Sequence, residues 1–263
     1  METTEIKEIV RARYAGIAAG AVTDCCAPSC CGGAGRAEAD TKSLLMGYSA
    51  EELAAVPEGA NLGLGCGNPQ AIAAIKPGET VIDLGSGAGF DCLLAARQVG
   101  PRGRVIGVDM TQEMLIKARA NAARIGAKNA EFRLGDLEHL PVADNTADVI
   151  VSNCVINLVP DKAQVFREAF RVLKPGGRLA ISDVVNTAPL SPELAADRTL
   201  ICGCVVGAAP AQQIEAWLAD AGFCGIRVTL KPESRELIAT WAPGRGVENY
   251  VVSALIEASK PEV

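Results

Sequence analysis

The chain has 263 residues, 49% of them hydrophobic and 21% charged, which suffices for one large domain or a domain with an appendage. Its formal net charge of -6 argues against a nucleic-acid partner, because binding to phosphates needs clustered Lys and Arg. No stretch of about eighteen apolar residues occurs, so we expect a cytoplasmic protein with no membrane partner.

Cysteine usage is the next unusual feature. The chain holds 10 Cys and 1 His, which favours chemistry based on sulfur over chemistry based on imidazole. In a reducing compartment these cysteines are expected to be thiols, metal ligands or redox centres rather than a disulfide framework.

The first 60 residues are predicted to form a helical, Cys-rich segment. An amphipathic helix is expected over 5–19, followed by a loop that carries Cys25, Cys26, Cys30 and Cys31. Ser49 and Glu52 have the spacing of a capping box. A glycine-spaced loop over 61–67 then leads to Asn68 as N-cap and Pro69 as the first helical residue.

From Thr80 onward, predicted strands alternate with predicted helices. The strands are expected at 80–84, 104–109, 130–134, 147–152 and 178–183, and the helices at 90–99, 111–125 and 161–172. This alternation is typical of a parallel sheet with helices on both faces. In the helix over 111–125 we expect the buried face to comprise Met114, Leu115, Ala118, Ala122 and Ile125.

Residues 189–209 interrupt the alternation and indicate an inserted subdomain. A helix at 211–221 follows, and strands at 225–230 and 248–258 are expected to complete the sheet, the last of them antiparallel. The predicted domain limits are 1–60 for the N-terminal segment, 61–188 for a cofactor-binding domain, 189–224 for the insertion and 225–263 for the C-terminal strands.

A glycine turn follows the first predicted strand. Gly85, Gly87 and Gly89 have the spacing G-x-G-x-G, which departs from the G-x-G-x-x-G of dinucleotide sites and counts against NAD. An acidic residue, Asp109, ends the next strand. With Gly135-Asp-Leu137 and Lys174-Pro-Gly-Gly177, these motifs resemble the Rossmann-like S-adenosylmethionine-dependent methyltransferases over about 76–183.

This resemblance implies an α/β fold with a mostly parallel, seven-stranded, doubly wound sheet. It also implies that Gly85 and Gly87 let the backbone approach the methionine end and ribose, that Asp109 accepts hydrogen bonds from the ribose hydroxyls, and that Asp136 contacts adenine. Solvated loop acids are the alternative for Asp109 and Asp136. The implied cofactor-binding set is Asp83, Gly85, Ser86, Gly87, Asp109, Met110, Asp136, Leu137 and Asn153.

Three cysteines are placed to face the transferred methyl group. Cys154 ends the fourth strand, Cys66 lies in the glycine-spaced loop, and Cys204 lies in the insertion that follows the fifth strand. Three soft thiolates suit a thiophilic centre such as trivalent arsenic, whose lone pair then needs no base. An inert buried side chain is the alternative for each cysteine alone, and His139 is more typical of a packed or exposed loop residue than of an acid or base.

A closer resemblance rests on the segments around these cysteines. Gly65-Cys-Gly67, Ser152-Asn-Cys-Val-Ile-Asn-Leu158 and Cys204-Val-Val-Gly-Ala208 are similar to those of arsenite methyltransferases, over about 62–223. The resemblance implies that Cys66, Cys154 and Cys204 bind As(III) from arsenite or methylarsenite. It further implies a redox disulfide between Cys66 and an N-terminal cysteine, which thioredoxin or glutathione would reduce. Among the four N-terminal candidates, Cys31 is our choice.

Two other functions stay open at this stage. The cofactor motifs alone also allow a carbon or oxygen methyltransferase acting on a quinone or another small molecule. A non-catalytic metalloid or zinc sensor is the second alternative, with zinc held by the cysteines of 25–31. Cys202 is ambiguous and would face away from Cys204 in an extended segment, whereas Cys92 and Cys224 are expected to be core residues.

Overall fold

A computed structural model describes residues 3–20 and 36–262 of the chain. Its helices of four or more residues are α1 (Thr3–Ala18), α2 (Arg36–Leu45), α3 (Ala50–Ala54), α4 (Gln70–Ala73), α5 (Phe90–Val99), α6 (Gln112–Ile125), α7 (Lys162–Val172), α8 (Pro192–Ala195), α9 (Ala211–Asp220) and α10 (Arg235–Ala239). Its strands are β1 (Thr80–Leu84), β2 (Arg104–Asp109), β3 (Ala130–Leu134), β4 (Ala147–Asn153), β5 (Leu173–Asn186), β6 (Cys224–Lys231) and β7 (Val251–Ser259).

The strands form one seven-stranded sheet in the order β3-β2-β1-β4-β5-β7-β6. Strands β1 to β5 pair in parallel, and β7 runs antiparallel between β5 and β6. The mostly parallel, seven-stranded sheet is therefore confirmed, as is the antiparallel last strand. Because the order reverses direction between β1 and β4, the loops after these two strands diverge and leave a crevice at the carboxyl edge of the sheet.

Local sequence signals explain the helix ends near this edge. Ser49 and Glu52 make both hydrogen bonds of the predicted capping box. The helix after the glycine-spaced loop is one short turn, in which Oδ1 of Asn68 accepts the N–H of Gln70 at 2.9 Å. Pro69 therefore occupies the N-cap position that was predicted for Asn68. Asn68 lies one residue before the N-cap and still accepts a hydrogen bond from the first turn of the helix.

The apolar faces of the helices pack on both sides of the sheet. In α6, Met114, Leu115, Ala118 and Ala122 are buried as predicted, but Ile125 is 40% exposed and its assignment to the core was wrong. Ile125 lies in the last turn before the Gly126 cap, where the stripe of apolar residues extends past the core beneath it.

Strand β5 is longer than its apolar pattern predicted. It begins at Leu173, which pairs with Ala147, and an irregularity in the ladder with β4 accommodates the Lys174–Gly177 segment. Gly176 there has a φ of 76°, a left-handed conformation that glycine adopts without steric cost. The Lys174–Gly177 segment, which lies before the strand predicted over 178–183, is therefore a bulged part of that strand.

Beyond the carboxyl edge of the sheet, a separate group of buried residues joins distant parts of the chain. It combines α1, the loop before α4, the turns over 200–208 and α10, and its members include Val10, Cys66, Cys202, Cys204 and Ile238. Helix α9 packs against β6 and α7. None of the helices in the described part of the chain combines the length and apolar character needed to span a bilayer.

Candidate methyl-transfer site

The turn after β1 is held by the acidic residue that ends β2. Gly85 and Gly87 have φ values of 73° and 50°, a left-handed backbone that turns the chain sharply into α5. One carboxylate oxygen of Asp109 accepts the N–H of Gly87 at 2.9 Å, and the other accepts the N–H of Thr111 at 2.8 Å. Burial raises the pKa of Asp109 above its ordinary value, while these N–H donors oppose the rise.

A pocket opens at the carboxyl edge of the sheet, above this turn. The predicted cofactor residues all line it, although they come from different segments: Asp83, Gly85, Ser86, Gly87, Asp109, Met110, Asp136, Leu137 and Asn153. Cys154 and Cys204 line the same pocket, so the structure brings the predicted cofactor loop and two of the predicted thiols to one cavity.

The glycine turn has room and unused polar capacity for a ligand. The hydroxyl of Ser86 is buried in the pocket wall without a hydrogen-bond partner among the described residues, although buried polar groups are normally paired. A Cβ placed on Gly87 would meet no atom within 4 Å. Asp109, whose two oxygens accept the N–H groups of Gly87 and Thr111, stands in the wall of the same pocket. These features fit a ligand with hydroxyl and amino donors such as S-adenosylmethionine.

Buried carboxyl groups make this end of the pocket suited to a cation. Burial, followed by the charge of Asp91, raises the pKa of Asp83 well above its ordinary value, and burial raises the pKa of Asp91 to about 6. The Tyr48 hydroxyl lies 2.9 and 3.0 Å from the two carboxylate oxygens of Asp91, and it accepts the side-chain N–H of Asn153 at 3.1 Å. A sulfonium or an ammonium group bound beside these carboxyl groups would favour their ionised form and would in turn be stabilised by it.

Helix α1 covers the side of the pocket that Asp136 lines, which the sequence patterns did not indicate. Lys7, Val10 and Tyr14 line the pocket, and the Lys7 ammonium forms ion pairs with Asp136 and Glu138. Burial alone would raise the pKa of Asp136, but the hydrogen bonds from Lys7 and from the Glu138 N–H keep it below its ordinary value. Asp136, expected to contact adenine, also holds α1 in place.

The thiols of Cys66, Cys154 and Cys204 come together beside the pocket, which Cys154 and Cys204 line. Hydrogen bonds with the thiols of Cys204 and Cys66, together with burial, raise the pKa of Cys154 well above its ordinary value. Sγ of Cys204 donates to the carbonyl of Cys154 at 3.2 Å. Within the described residues, four non-glycine residues have a positive φ, and two of them are Cys154 at 56° and Cys204 at 61°. Such strained backbone concentrates at functional sites.

Cys66 is fixed through its own backbone. Its N–H donates to Oδ1 of Asn153 at 3.0 Å, and its carbonyl accepts the hydroxyl of Ser253 at 2.8 Å. A Cβ on the following residue, Gly67, would come within 2.2 Å of Oγ of Ser182. Only glycine allows the loop to approach β5 this closely, and that approach sets the position of the Cys66 thiol.

An acidic residue that the sequence interpretation did not single out stands beside these thiols. The Sγ atoms of Cys66 and Cys154 and a carboxylate oxygen of Asp183 all lie within 4.8 Å of one another. Asp183 accepts the N–H of Ile156 and the side-chain N–H of Asn157, each at 2.8 Å. Burial raises its pKa to about 6. In the sequence, the one indication of this role was that Asp183 is a charged residue within an otherwise apolar stretch of predicted strand, next to Val184.

The remaining predicted residues have mixed outcomes. Cys92 is a fully buried core residue as predicted, but Cys224 is exposed at the start of β6, so its assignment to the core was wrong. Cys202 is buried in a turn and lines the pocket rather than lying in an extended segment. His139 is exposed. Cys25, Cys26, Cys30 and Cys31 lie outside the described residues.

Comparison with known proteins gives consistent matches. Residues 75–222 match the family model described as a methyltransferase domain. An arsenite methyltransferase of Halobacterium salinarum is 52% identical over 98% of this chain and 67% of its own length. The human arsenite methyltransferase is 39% identical over 56% of this chain and 42% of its own length.

A solved structure extends the comparison to the fold. The crystal structure of an arsenic(III) S-adenosylmethionine methyltransferase from Chlamydomonas reinhardtii matches with a TM-score of 0.61 and 30% identity, over 84% of this chain and 73% of that one. This chain therefore spans about two thirds of the Halobacterium relative and less than half of the human one.

The sheet order, the glycine turn held by Asp109 and the acidic pocket define a Rossmann-like methyltransferase that uses S-adenosylmethionine. The thiols beside that pocket, taken with the relatives above, narrow the class of methyltransferase further. The chain belongs to the arsenite methyltransferase family.

Proposed function

We propose that this chain transfers methyl groups from S-adenosylmethionine to trivalent arsenic held by Cys66, Cys154 and Cys204. The observation that carries the proposal is the meeting of three cysteines from distant segments beside the cofactor pocket. A carbon or oxygen methyltransferase would leave this cluster without a role. A purely sequestering protein would have no use for the turn held by Asp109.

Binding of arsenite to the three thiols needs no base. Three As–S bonds form, three As–O bonds break, and each thiol proton leaves with a hydroxide as water. The complex is neutral, and its pyramidal arsenic keeps one lone pair.

S-adenosylmethionine, when bound, supplies an electrophilic methyl group on a positively charged sulfur. The chain's own residues orient the two partners: Asp109 and the glycine turn support the cofactor end, while the left-handed backbone at Cys154 and Cys204 fixes the thiols. Holding two reactants in line converts a bimolecular reaction into an effectively unimolecular one. Helix α1 and the turns over 200–208 enclose the pocket between them.

Methylation leaves arsenic oxidised, so a reducing step completes the cycle. In our proposal the thiolate of Cys31 attacks the sulfur of Cys66: an S–S bond forms, the As–S bond breaks, and its electron pair returns to arsenic. Thioredoxin or glutathione then reduces the disulfide. A cytoplasmic setting belongs to the proposal, because free thiols at the site require a reducing compartment.

The direct test is to incubate the purified protein with arsenite, S-adenosylmethionine and thioredoxin or glutathione, and to measure methylarsenicals by chromatography with elemental detection. We expect product from the wild type and none from Cys154→Ser. Cys224→Ser is the matched control, because Cys224 pairs with Ser259 near the opposite edge of the sheet, and this variant should retain activity. Absence of product above the Cys154→Ser level would refute the proposed function.

A further inference from the structure

Asp183 is a buried carboxyl group at the thiol cluster that the chemistry described so far does not use. It is 1% exposed and lies on β5, directly after Ser182, whose hydroxyl is 3.7 Å from Sγ of Cys66. One of its oxygens lies within 4.8 Å of the sulfur atoms of both Cys66 and Cys154. A buried charged group is costly unless it is paired or functional, so its position needs an explanation.

The hydrogen bonds around Asp183 favour its ionised form. One oxygen accepts the N–H of Val184 and the side-chain N–H of Asn157, both at 2.8 Å, and the other accepts the N–H of Ile156 at 2.8 Å. Since both oxygens receive N–H donors, the carboxylate fits this surrounding better than the protonated acid. The turn that supplies two of these donors follows Cys154 directly, so the charge is fixed relative to the thiols.

The proposed reaction moves a positive charge toward this carboxylate. As the lone pair of arsenic forms its bond to the methyl carbon, the carbon–sulfur bond breaks and its electrons stay on sulfur. Arsenic then has four bonds, three to sulfur and one to carbon, and carries the positive charge that sulfur has lost. A fixed negative group beside arsenic stabilises this developing charge, and in a buried site such stabilisation is large.

We propose that the Asp183 carboxylate is the counter-ion of the arsenic centre, placed beside Cys66 and Cys154 to stabilise the positive charge that arsenic acquires during methyl transfer. The inference rests on the proposed function. Lys162 is a cation whose charge interacts with that of Asp183, and its ammonium donates to the carbonyl of Val159 at 3.0 Å. Lys162 therefore offsets part of the charge of Asp183. Replacing Lys162 by a neutral residue should have the opposite effect to Asp183→Asn.

The principal test is Asp183→Asn, which removes the charge at nearly constant volume. With arsenite bound beforehand, we expect the single-turnover rate of methylation to fall about 100-fold, the usual loss when one preorganised electrostatic partner is removed. The dissociation constant for arsenite should stay within about threefold of the wild-type value, because the three thiols remain. Asn157→Ala is the control, since it perturbs the same turn but keeps the carboxylate, and it should lose less than about tenfold in rate.

Binding of cofactor analogues in the absence of arsenic tests the charge of Asp183 independently of methylation activity. Sinefungin carries an amine cation where S-adenosylmethionine carries its sulfonium, whereas S-adenosylhomocysteine is neutral there. The preference for sinefungin over S-adenosylhomocysteine should fall about tenfold in Asp183→Asn and change by less than about threefold in Asn157→Ala, which removes one of three N–H donors but keeps the carboxylate. Lys162→Gln, measured at pH 8, should shift the preference a few-fold the other way, which also provides a test if the Asn variant does not fold.

Three results would overturn the inference. A methylation rate of Asp183→Asn within about threefold of the wild type would show that the charge is not used. Loss of arsenite binding would make Asp183 a ligand rather than a counter-ion. Equal losses in Asp183→Asn and Asn157→Ala, with no change in the sinefungin preference, would indicate a structural role. A wild type that binds sinefungin with the expected preference but forms no methylarsenical would refute the proposed function instead.

Discussion

The position of Cys204 depends on a glycine three residues further along. A Cβ placed on Gly207 would come within 2.0 Å of the backbone oxygen of Asn157, whereas real Cβ atoms essentially never approach closer than 3.0 Å. In Gly207→Ala the segment that carries Cys204 must therefore move by about 1 Å away from the turn after Cys154. A misplacement of about 1 Å can cost about 100-fold in rate, so we expect a loss of that order in arsenite methylation.

The assay separates loss of the thiol cluster from loss of the fold. Trp241 lines the pocket, so quenching of its fluorescence is a convenient readout of arsenite binding, and calorimetry measures the affinity for S-adenosylmethionine. We expect weaker arsenite binding with unchanged cofactor affinity. Gly203→Ala is the matched control, because its Cβ meets nothing closer than the Leu200 carbonyl at 3.8 Å. Wild-type arsenite affinity in Gly207→Ala would refute this reasoning.

Three further predictions concern the cofactor end of the pocket. Asp109→Ala should raise the dissociation constant for S-adenosylmethionine about 10- to 100-fold, because it removes a charged hydrogen-bond acceptor. The affinity for arsenite should stay unchanged. Equally weakened binding of both ligands would contradict the assignment of Asp109 to the cofactor and of the thiols to arsenic. Lys7→Met should speed cofactor dissociation several-fold in stopped-flow measurements, because the ion pairs of Lys7 with Asp136 and Glu138 hold α1 over the pocket. An unchanged dissociation rate would show that α1 does not cover the bound cofactor. Burial raises the pKa of Asp91 from 3.8 to about 6, so the folded protein keeps this proton to higher pH than the unfolded chain, and the free energy of unfolding should fall as the pH rises through that interval. Asp91→Asn should flatten this fall by up to about 1.4 kcal/mol per pH unit in chemical denaturation, and identical slopes would exclude the shift.

The strand and helix pattern was largely readable because it depends on local periodicity. Strands β1, β2 and β3 and helix α5 begin and end where the apolar patterns predicted. The errors occur where tertiary contacts override the local signal. Strand β5 extends backward through Pro175 because β4 accommodates a bulge there, and Ile125 is exposed because the core ends before its helix does.

The position of the glycine turn was also predictable, because the turn depends on a short motif. Gly85, Gly87 and Asp109 stand at fixed distances along the chain, and parallel strands carry their ends to the same edge of the sheet. The role of Lys7 was not predictable from the sequence. It lies 129 residues from Asp136, and no local pattern indicates which acidic residues an N-terminal helix will meet.

By itself, the sequence determined the elements of a seven-stranded sheet and the glycine turn after its first strand, and it singled out the cysteines that the fold brings together, since each follows from local pattern or from motif. Only the tertiary structure decided the strand order, the cover formed by α1 and the place of Asp183 beside Cys66 and Cys154. The physical reason is that these features arise from contacts between segments distant in the chain. Packing and electrostatics select such contacts from many that the local sequence would permit equally well.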